Sequence, residues 1–466
     1  MLRIFSHYIP TTIVILILVE LVVLFFSVYL GVFIRFIDSQ DIASDIASVE
    51  PIHIKAGYFT FVMWLCMNAF GLHTRNIVNE FSGLMIRIIL SFVVGFLIIS
   101  LTFYIFPDLI LSRGIFAYTI MVSFMGVIIT RTIFQKIDNH RIFKRNILVL
   151  GVGEKAKILE NQMENANKQG FEIVGFVNIN TDDNLVDSKY YLKIESTLLD
   201  LCNDHDVDEI VLALDDRRKS FPMSGLLECK MKGIIVRDLV DALERITGHI
   251  QLEALHPSTV IFSEGFTNAV TMSMAKRIFD VTACIIILVL TSPFIILTAI
   301  AIWLSSFGKD PIFYRQIRVG LCDAPFGVLK FRSMRTDAEK SGAQFASKND
   351  SRVTKIGSFI RKTRIDELPQ LLNVLKGDMS FIGPRPERPQ FVLGYEQTIS
   401  HYGLRHTVKP GITGWAQICY PYGETDEDTK NKLQYDLYYI KNYSLFLDMT
   451  ILFQTIQVVL FGQGAR

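Results

Sequence analysis

Apolar positions dominate the first third of the chain. Four long stretches lie near residues 11–34, 56–73, 84–107 and 115–134. The first, TTIVILILVELVVLFFSVYLGVFI, carries one charge, Glu20. About 20 apolar residues in a helix cross the ~30 Å hydrocarbon core of a bilayer, so each stretch predicts a transmembrane helix. The first is too long for a signal-peptide core and has no small-residue cleavage site, so it is read as retained. Arg and Lys crowd RTIFQKIDNHRIFKRN after the fourth stretch, whereas the loop at 38–50 holds Asp38, Asp41, Asp45 and Glu50. Positive charge marks the cytoplasmic side. An even number of crossings then places the N-terminus and everything after residue 135 in the cytosol. Glu20 reads as a bundle-facing or snorkelled residue.

From 141 to 245 the pattern changes to short β-type runs alternating with polar-faced helical segments. NILVLGVG, FEIVGFV, EIVLAL and GIIVRDL predict the strands of a small parallel, Rossmann-like α/β module. Gly151, Gly153 and Ala156 match the GxGxxA form of the dinucleotide fingerprint in a strand-turn-helix context. Gly151 and Gly153 are therefore candidate cofactor-binding residues. The acid expected after the next strand is replaced by Asn178, and a ligand-free or regulatory module stands beside that reading.

A polar linker, 246–275, leads to a second apolar region at 278–304, interrupted by Ser292-Pro293. One full crossing would put the last 160 or so residues outside. A helix that bends at Ser292-Pro293 and returns to the same face keeps them in the cytosol, with the Thr291 and Ser292 hydroxyls satisfying freed backbone groups. The pattern alone leaves both readings open.

Composition adds to this picture. Half of the 466 residues are hydrophobic, with 35 Phe, which points to bilayer contact. A net charge of +1 provides no global field for nucleic acid, so no nucleic-acid partner is expected. Six dispersed cysteines without a CxxC pair exclude a disulfide framework or zinc site as the organising principle.

The final third is rich in short cationic clusters: Arg315 and Arg318; Lys330, Arg332 and Arg335; Arg352 and Lys355; Arg361, Lys362 and Arg364; Arg385 and Arg388. The arginine fork suits phosphate. Beside the fourth cluster lies the acid pair Asp366-Glu367, followed by Leu368-Pro369. Proline is tolerated in a first helical turn, so a helix is expected to start near Asp366 with its N–H groups facing the cations. Such a field keeps Asp366 ionised and attracts phosphate. Asp366 could then attack phosphorus while Glu367 holds Mg²⁺. A stable salt-bridge network satisfies the same pattern.

The ordered blocks KRIFD, SPFIILTAIAIWL, PIFYRQIRVG, FGVLKFRSMRTDAE, NDSRVTKIGSFIRKTRIDELPQLLNVLKGDMSFIGPRPERPQF and KPGITGWAQI resemble the bacterial sugar transferase family. These are the polyprenyl-phosphate hexose-1-phosphate transferases, or monotopic phosphoglycosyl transferases. The resemblance covers about 274–466, and the N-terminal spans and α/β module are similar to the family's large members. It implies a multi-domain membrane protein: four transmembrane helices (1–140), a Rossmann-like domain (141–245) and a mainly helical catalytic domain (276–466) with a re-entrant helix at 278–304. It also implies transfer of a hexose-1-phosphate from a UDP-sugar to undecaprenyl phosphate, releasing UMP through a phosphosugar on Asp366. The setting would be the cytoplasmic face of the bacterial inner membrane, at the start of exopolysaccharide, capsule or O-antigen repeat assembly. Glu367 is implied as the Mg²⁺ ligand. Lys330, Arg361 and Arg385 are implied as phosphate and nucleotide contacts, and Arg332 joins them as a substrate-binding candidate. Ser292 and Pro293 would form the membrane bend, and Pro384 and Pro386 would fix the loop presenting Arg385.

One departure is that family members commonly carry an Arg shortly after GWAQ, where this chain reads ICYPYGE. A rival is a membrane-anchored nucleotide-sugar dehydratase or epimerase, which needs a Tyr four residues before a Lys; no Lys here has one. An inactive scaffold or sensor of the same architecture is the non-enzymatic alternative. The hexose, the role of the α/β module and homodimer formation are left open by the sequence.

Overall fold

The computed structural model describes residues 2–4, 7–9, 11–38, 40, 47, 49–73, 81–138, 144–168, 170–179, 184–194, 196–215, 221–255, 265–266, 270–338, 350–420, 423 and 425–461. The chain forms two compact units, essentially Tyr8–Lys144 and Arg145–Arg466.

The first unit consists of helices α1 (Thr11–Phe36), α2 (Ile52–Ala69), α3 (Phe81–Ile105) and α4 (Arg113–Asp138). Within α1, α3 and α4 lie segments long and apolar enough to cross a membrane. The second stretch forms a helix of 18 residues that includes His53, Lys55 and Asn68 and does not meet that standard on its own. Enclosure compensates: Ala56, Phe59, Met63 and Met67 are buried against the other helices. Small residues bring α1 and α4 close, since a Cβ on Gly31 would lie 2.4 Å from Thr119 Oγ1 and one on Gly126 2.5 Å from Val23 Cγ1. Glu20 faces the bundle interior. Arg131 Nε lies 2.7 Å from one of its oxygens and His73 Nε2 2.7 Å from the other. Arg131 also donates to Leu72 O and Arg87 to Phe70 O, closing a polar layer across the helices.

The second unit opens with strands β1 (Arg145–Leu150), β2 (Phe171–Val177), β3 (Tyr191–Leu192), β4 (Glu209–Leu212) and β5 (Ile235–Asp238). They form one parallel sheet in the order β3-β2-β1-β4-β5, five strands of the doubly wound Rossmann order. Four of them are the runs expected from the sequence. Helices α5 (Glu154–Glu160), α6 (Met163–Lys168), α7 (Leu198–Asp204), α8 (Met223–Met231) and α9 (Leu239–Thr247) complete the module.

Residues 250–255 were expected within a linker, yet they are built into the C-terminal domain. Ile250 and Leu255 are buried in its core, and Ile250 N donates to Gln434 O at 3.1 Å. Two apolar side chains and a paired backbone hold this segment to a surface that the local sequence does not reveal.

Helix α10 runs from Val270 to Ser305 without interruption, with Pro293 inside it. Proline removes the amide that would bond to Val289 O, and the Ser292 hydroxyl takes that carbonyl at 2.9 Å; Thr291 bonds Ile287 O at 2.7 Å. Lys276, Asp280 and Cys284 before Pro293 and Thr298 and Ile302 after it are buried, while Ile285, Val289, Leu290, Phe294 and Leu297 between them, and Trp303, are exposed. Both ends touch the same domain. Near the start, Lys276 pairs with Asp448 at 2.7 Å, and Asp280 accepts from Ser380 Oγ and Phe381 N at 3.1 Å each. Near the end, Ile302 packs with Phe331 and Ile360.

The C-terminal domain continues with the antiparallel hairpin β6 (Phe313–Val319) and β7 (Pro325–Phe331), helix α11 (Lys355–Lys362), helix α12 (Gln370–Lys376) and strand β8 (Ser380–Ile382). Helix α13 (Pro389–Thr398) precedes strand β9 (Gly411–Thr413), which pairs in parallel with β8. Helices α14 (Trp415–Cys419), α15 (Asp426–Lys441) and α16 (Leu445–Phe461) end the described chain. Leu433, Leu437, Tyr438 and Tyr439 of α15 are core residues.

Candidate active site

The acid pair sits in a turn between two helices. Helix α11 starts on Thr354, whose hydroxyl accepts from Gly357 N at 2.9 Å, and ends at Lys362. Arg364 then adopts the left-handed conformation (φ 59°), and Ile365–Glu367 form a single 3₁₀ turn. The α-helix begins at Gln370, four residues later than expected, with Pro369 as its N-cap. The short turn sends the two acids in different directions. Glu367 Oε1 lies 2.6 Å from Arg385 Nη2 and 3.1 Å from Lys330 Nζ, and Oε2 lies 3.7 Å from Arg364 Nη1. Among the described residues the Asp366 carboxylate has no side-chain hydrogen bond, although the residue is only 8% exposed.

This division sets their protonation. Burial opposes the charge on Glu367, but Arg385 and Lys330 outweigh it and hold that carboxyl well below the usual range. The expectation that cations would dominate Asp366 gives way to a different balance. Burial, then the neighbouring Glu367, push Asp366 up to about 6 against the pull of Lys330, Arg361 and Arg385. Near neutral pH it is largely ionised yet poorly solvated. Burial lowers the pKa of Lys330.

The Pro384-Arg385-Pro386 loop is held at successive carbonyls. Pro384 O accepts from Gly411 N (2.9 Å), Arg385 O from Arg405 Nη2 (2.8 Å), Pro386 O from Arg318 Nη1 (3.0 Å) and Glu387 O from Val319 N (2.9 Å). Arg405 is itself buried and lies 3.0 Å from Asp436. Arg385 is thus aimed by its backbone, and its guanidinium joins Glu367 to Gln417, whose Oε1 accepts at 3.0 Å.

Lys330, Arg385, Asp366 and Glu367 come together, and Arg361 exerts its charge on Asp366 from the last turn of α11. Arg332 has another partner, Asp310, at 2.8 Å. Strand β7 ends at Phe331, so Arg332 does not continue the face that carries Lys330. Sequence reasoning passed over Gln417 and Arg405; GWAQ held the first in plain view, without a signal of what it would touch.

Mg²⁺ was expected on Glu367. Among the described residues, the one group with metal-ligand spacing is Asp323, Glu396 and His406, which includes neither member of the dyad. Glu367 is already neutralised by cations and does not suit a bare divalent ion. A Mg²⁺ carried by a diphosphate is different, because phosphate oxygens compete for Lys330 and Arg385 and release a carboxylate oxygen. The residues fit an ion that arrives with its substrate.

The glycines expected to bind a cofactor surround a carboxylate of the chain itself. Gly151 adopts φ +131°, and a Cβ there would meet Ala213 O at 2.3 Å. A Cβ on Gly153 would lie 1.7 Å from Asp215 Oδ2. Asp215 accepts from Glu154 N (2.9 Å) and Lys155 N (3.0 Å), the amides that a dinucleotide pyrophosphate uses in such folds.

Comparison with known proteins identifies the family. Residues 271–462 match the family model described as bacterial sugar transferase, and 68–220 match one described as CoA-binding domain. A UDP-glucose:undecaprenyl-phosphate glucose-1-phosphate transferase of Klebsiella pneumoniae is 32% identical over 388 residues, 81% of this chain and 82% of that protein. Its namesake from Escherichia coli K12 is 34% identical over 333 residues, 68% of each chain. A UDP-N-acetylgalactosamine-undecaprenyl-phosphate N-acetylgalactosaminephosphotransferase of Aeromonas hydrophila is 44% identical over 241 residues, 52% of this chain and 56% of that protein. With its acid pair set among cations and its relatives aligned over most of its length, the chain belongs to the bacterial sugar transferase family, the polyprenyl-phosphate hexose-1-phosphate transferases.

Proposed function

We propose that this enzyme transfers a hexose-1-phosphate from a UDP-sugar to undecaprenyl phosphate at the cytoplasmic face of the bacterial inner membrane, as the first membrane step of a surface polysaccharide repeat. The observation that carries the reading is Asp366: a buried carboxylate, without a hydrogen bond among the described residues, next to Lys330, Arg361 and Arg385. An ionised oxygen with so little solvation is a competent nucleophile. It attacks the sugar-bearing phosphorus, an Asp366–phosphorus bond forms, the bond to the bridging oxygen breaks, and UMP leaves with that oxygen. An oxygen of undecaprenyl phosphate then attacks the same phosphorus and frees the Asp366 carboxylate, giving the polyprenyl-diphospho-sugar. Lys330, Arg361 and Arg385 bind the diphosphate and stabilise charge that develops on its oxygens. Glu367 would hold the Mg²⁺ that enters with the diphosphate, and the ion would supply charge neutralisation at the leaving group.

Contacts at both ends of α10 with one domain support the re-entrant reading. A helix that crossed the whole bilayer would separate Lys276 from Ile302 by the hydrocarbon core, yet both contact the C-terminal domain, Lys276 through Asp448 and Ile302 through Phe331 and Ile360. Its exposed apolar face, Ile285 to Leu297, would enter the lipid and return.

The test is UMP release from a panel of UDP-sugars with undecaprenyl phosphate and Mg²⁺. One hexose should give rapid release and a sugar-phosphate adduct on Asp366 when the lipid is withheld. Release without any adduct on that residue would sink the two-step route. The panel also identifies the hexose, for which relatives named for glucose and for N-acetylgalactosamine provide two starting points.

A further inference from the structure

The α/β module meets the catalytic domain along a buried polar seam that the reaction scheme leaves unused. Glu244 of α9 is 2% exposed, and its oxygens accept from Lys441 Nζ and Asn442 Nδ2 at 2.6 Å each. At the end of α9, Gly248 takes the left-handed conformation (φ 71°), and its carbonyl accepts from Trp415 Nε1 at 2.9 Å. The Trp415 ring stacks on Tyr438 at 5.9 Å, so both its plane and its N–H are fixed. Trp415 opens α14, and two residues on Gln417 offers Oε1 to Arg385 Nη1 (3.0 Å) while its amide nitrogen donates to Ile412 O (3.3 Å). The other arm of Arg385 reaches Glu367 at 2.6 Å. An unbroken path of hydrogen bonds and one short helix therefore leads from the module's last helix to the dyad.

We propose that Gln417 is a positioning residue for Arg385, and that the α/β module holds it in register through Gly248 and Trp415. The module then acts as a brace on the phosphate-binding arginine. This rests on the phosphosugar-transfer reading of Asp366, Glu367 and Arg385. An arginine with one arm unconstrained samples other rotamers and meets the transition state less often, although ground-state charge attraction persists. The signature is therefore loss of kcat with KM for the UDP-sugar nearly unchanged.

The experiment measures UMP release at varied UDP-sugar by the full-length protein and by Gln417→Ala, Gln417→Glu, Trp415→Phe and Asp366→Ala. Gln417→Ala should lose about 10- to 100-fold in kcat with KM within about threefold. Gln417→Glu keeps an acceptor for Arg385 and should recover kcat to within about fivefold of the native enzyme, which also guards against a folding defect in the Ala variant. Trp415→Phe keeps the stacked ring but loses the N–H to Gly248, and should lower kcat about three- to tenfold with only a modest drop in melting temperature and a folded protein at the assay temperature. Native kcat in Gln417→Ala overturns the positioning role, and native kcat in Trp415→Phe overturns the module's part in it. Release by Asp366→Ala overturns the underlying reaction instead, so the two failures are told apart.

Discussion

Asp366 and Asp215 are both carboxylates near the start of a helix, and they behave in opposite ways. Asp215 lies against the Gly151–Gly153 turn and satisfies two backbone amides of α5. Asp366 lies beside cations, but its neighbour Glu367 takes their direct contacts, leaving it buried and raised to about 6. The glycine turn is the more familiar ligand motif, yet the chain fills its anion position from within. The acid pair resembles an ordinary surface ion cluster, yet one of its carboxylates has no side-chain hydrogen bond among the described residues. The proposed chemistry follows that group, whichever motif is easier to recognise.

Exchanging their properties should break this contrast. The largest effect is expected from Asp366→Asn, which should reduce UMP release by at least about 10³-fold, whereas Asp215→Ala should leave it native. Next, kcat/KM should rise about tenfold per pH unit up to about 6 and then level off, because the proposed nucleophile, Asp366, must be ionised. A profile flat from pH 5 to 8 would contradict the assignment.

The same group has a stability signature of definite sign. Its folded pKa lies above the ordinary 3.8, so its favourable contribution is complete below that value and is lost as pH rises through about 6. Asp366→Asn cannot ionise and should gain stability over the native protein as pH rises from 4 to 7, by at most about 3 kcal/mol in detergent melts. Asp215→Ala should show the smallest change, a loss of about 1 kcal/mol from the uncapped amides. NAD should not alter the native melting temperature, since Asp215 occupies the phosphate position.

The outline of the fold was legible because periodicity is local: the apolar spans and four strands of the α/β sheet appear where the sequence puts them. Asp366, Glu367, Lys330 and Arg385 were legible as a set, and the structure brings them together. Other features depend on contacts that local sequence does not carry. Asp215 meets the glycine turn from 60 residues downstream. Arg332 left the set because β7 stops one residue short of it. Residues 250–255 read as a polar connection because Gln434 and the core around Ile250 lie far along the chain. The second span was read as equivalent to the others, although its enclosure by neighbours lets it tolerate Lys55 and Asn68.

The Glu20 layer also constrains the order of events during synthesis. Its arginine partner follows 111 residues later, so at about 5–20 residues per second the first span waits several seconds in the bilayer before that counter-charge is made. Early helices must be sheltered by the insertion machinery or by one another until the fourth arrives. A nascent chain halted after α3 should therefore be drawn off by quality control far more readily than one carried through α4.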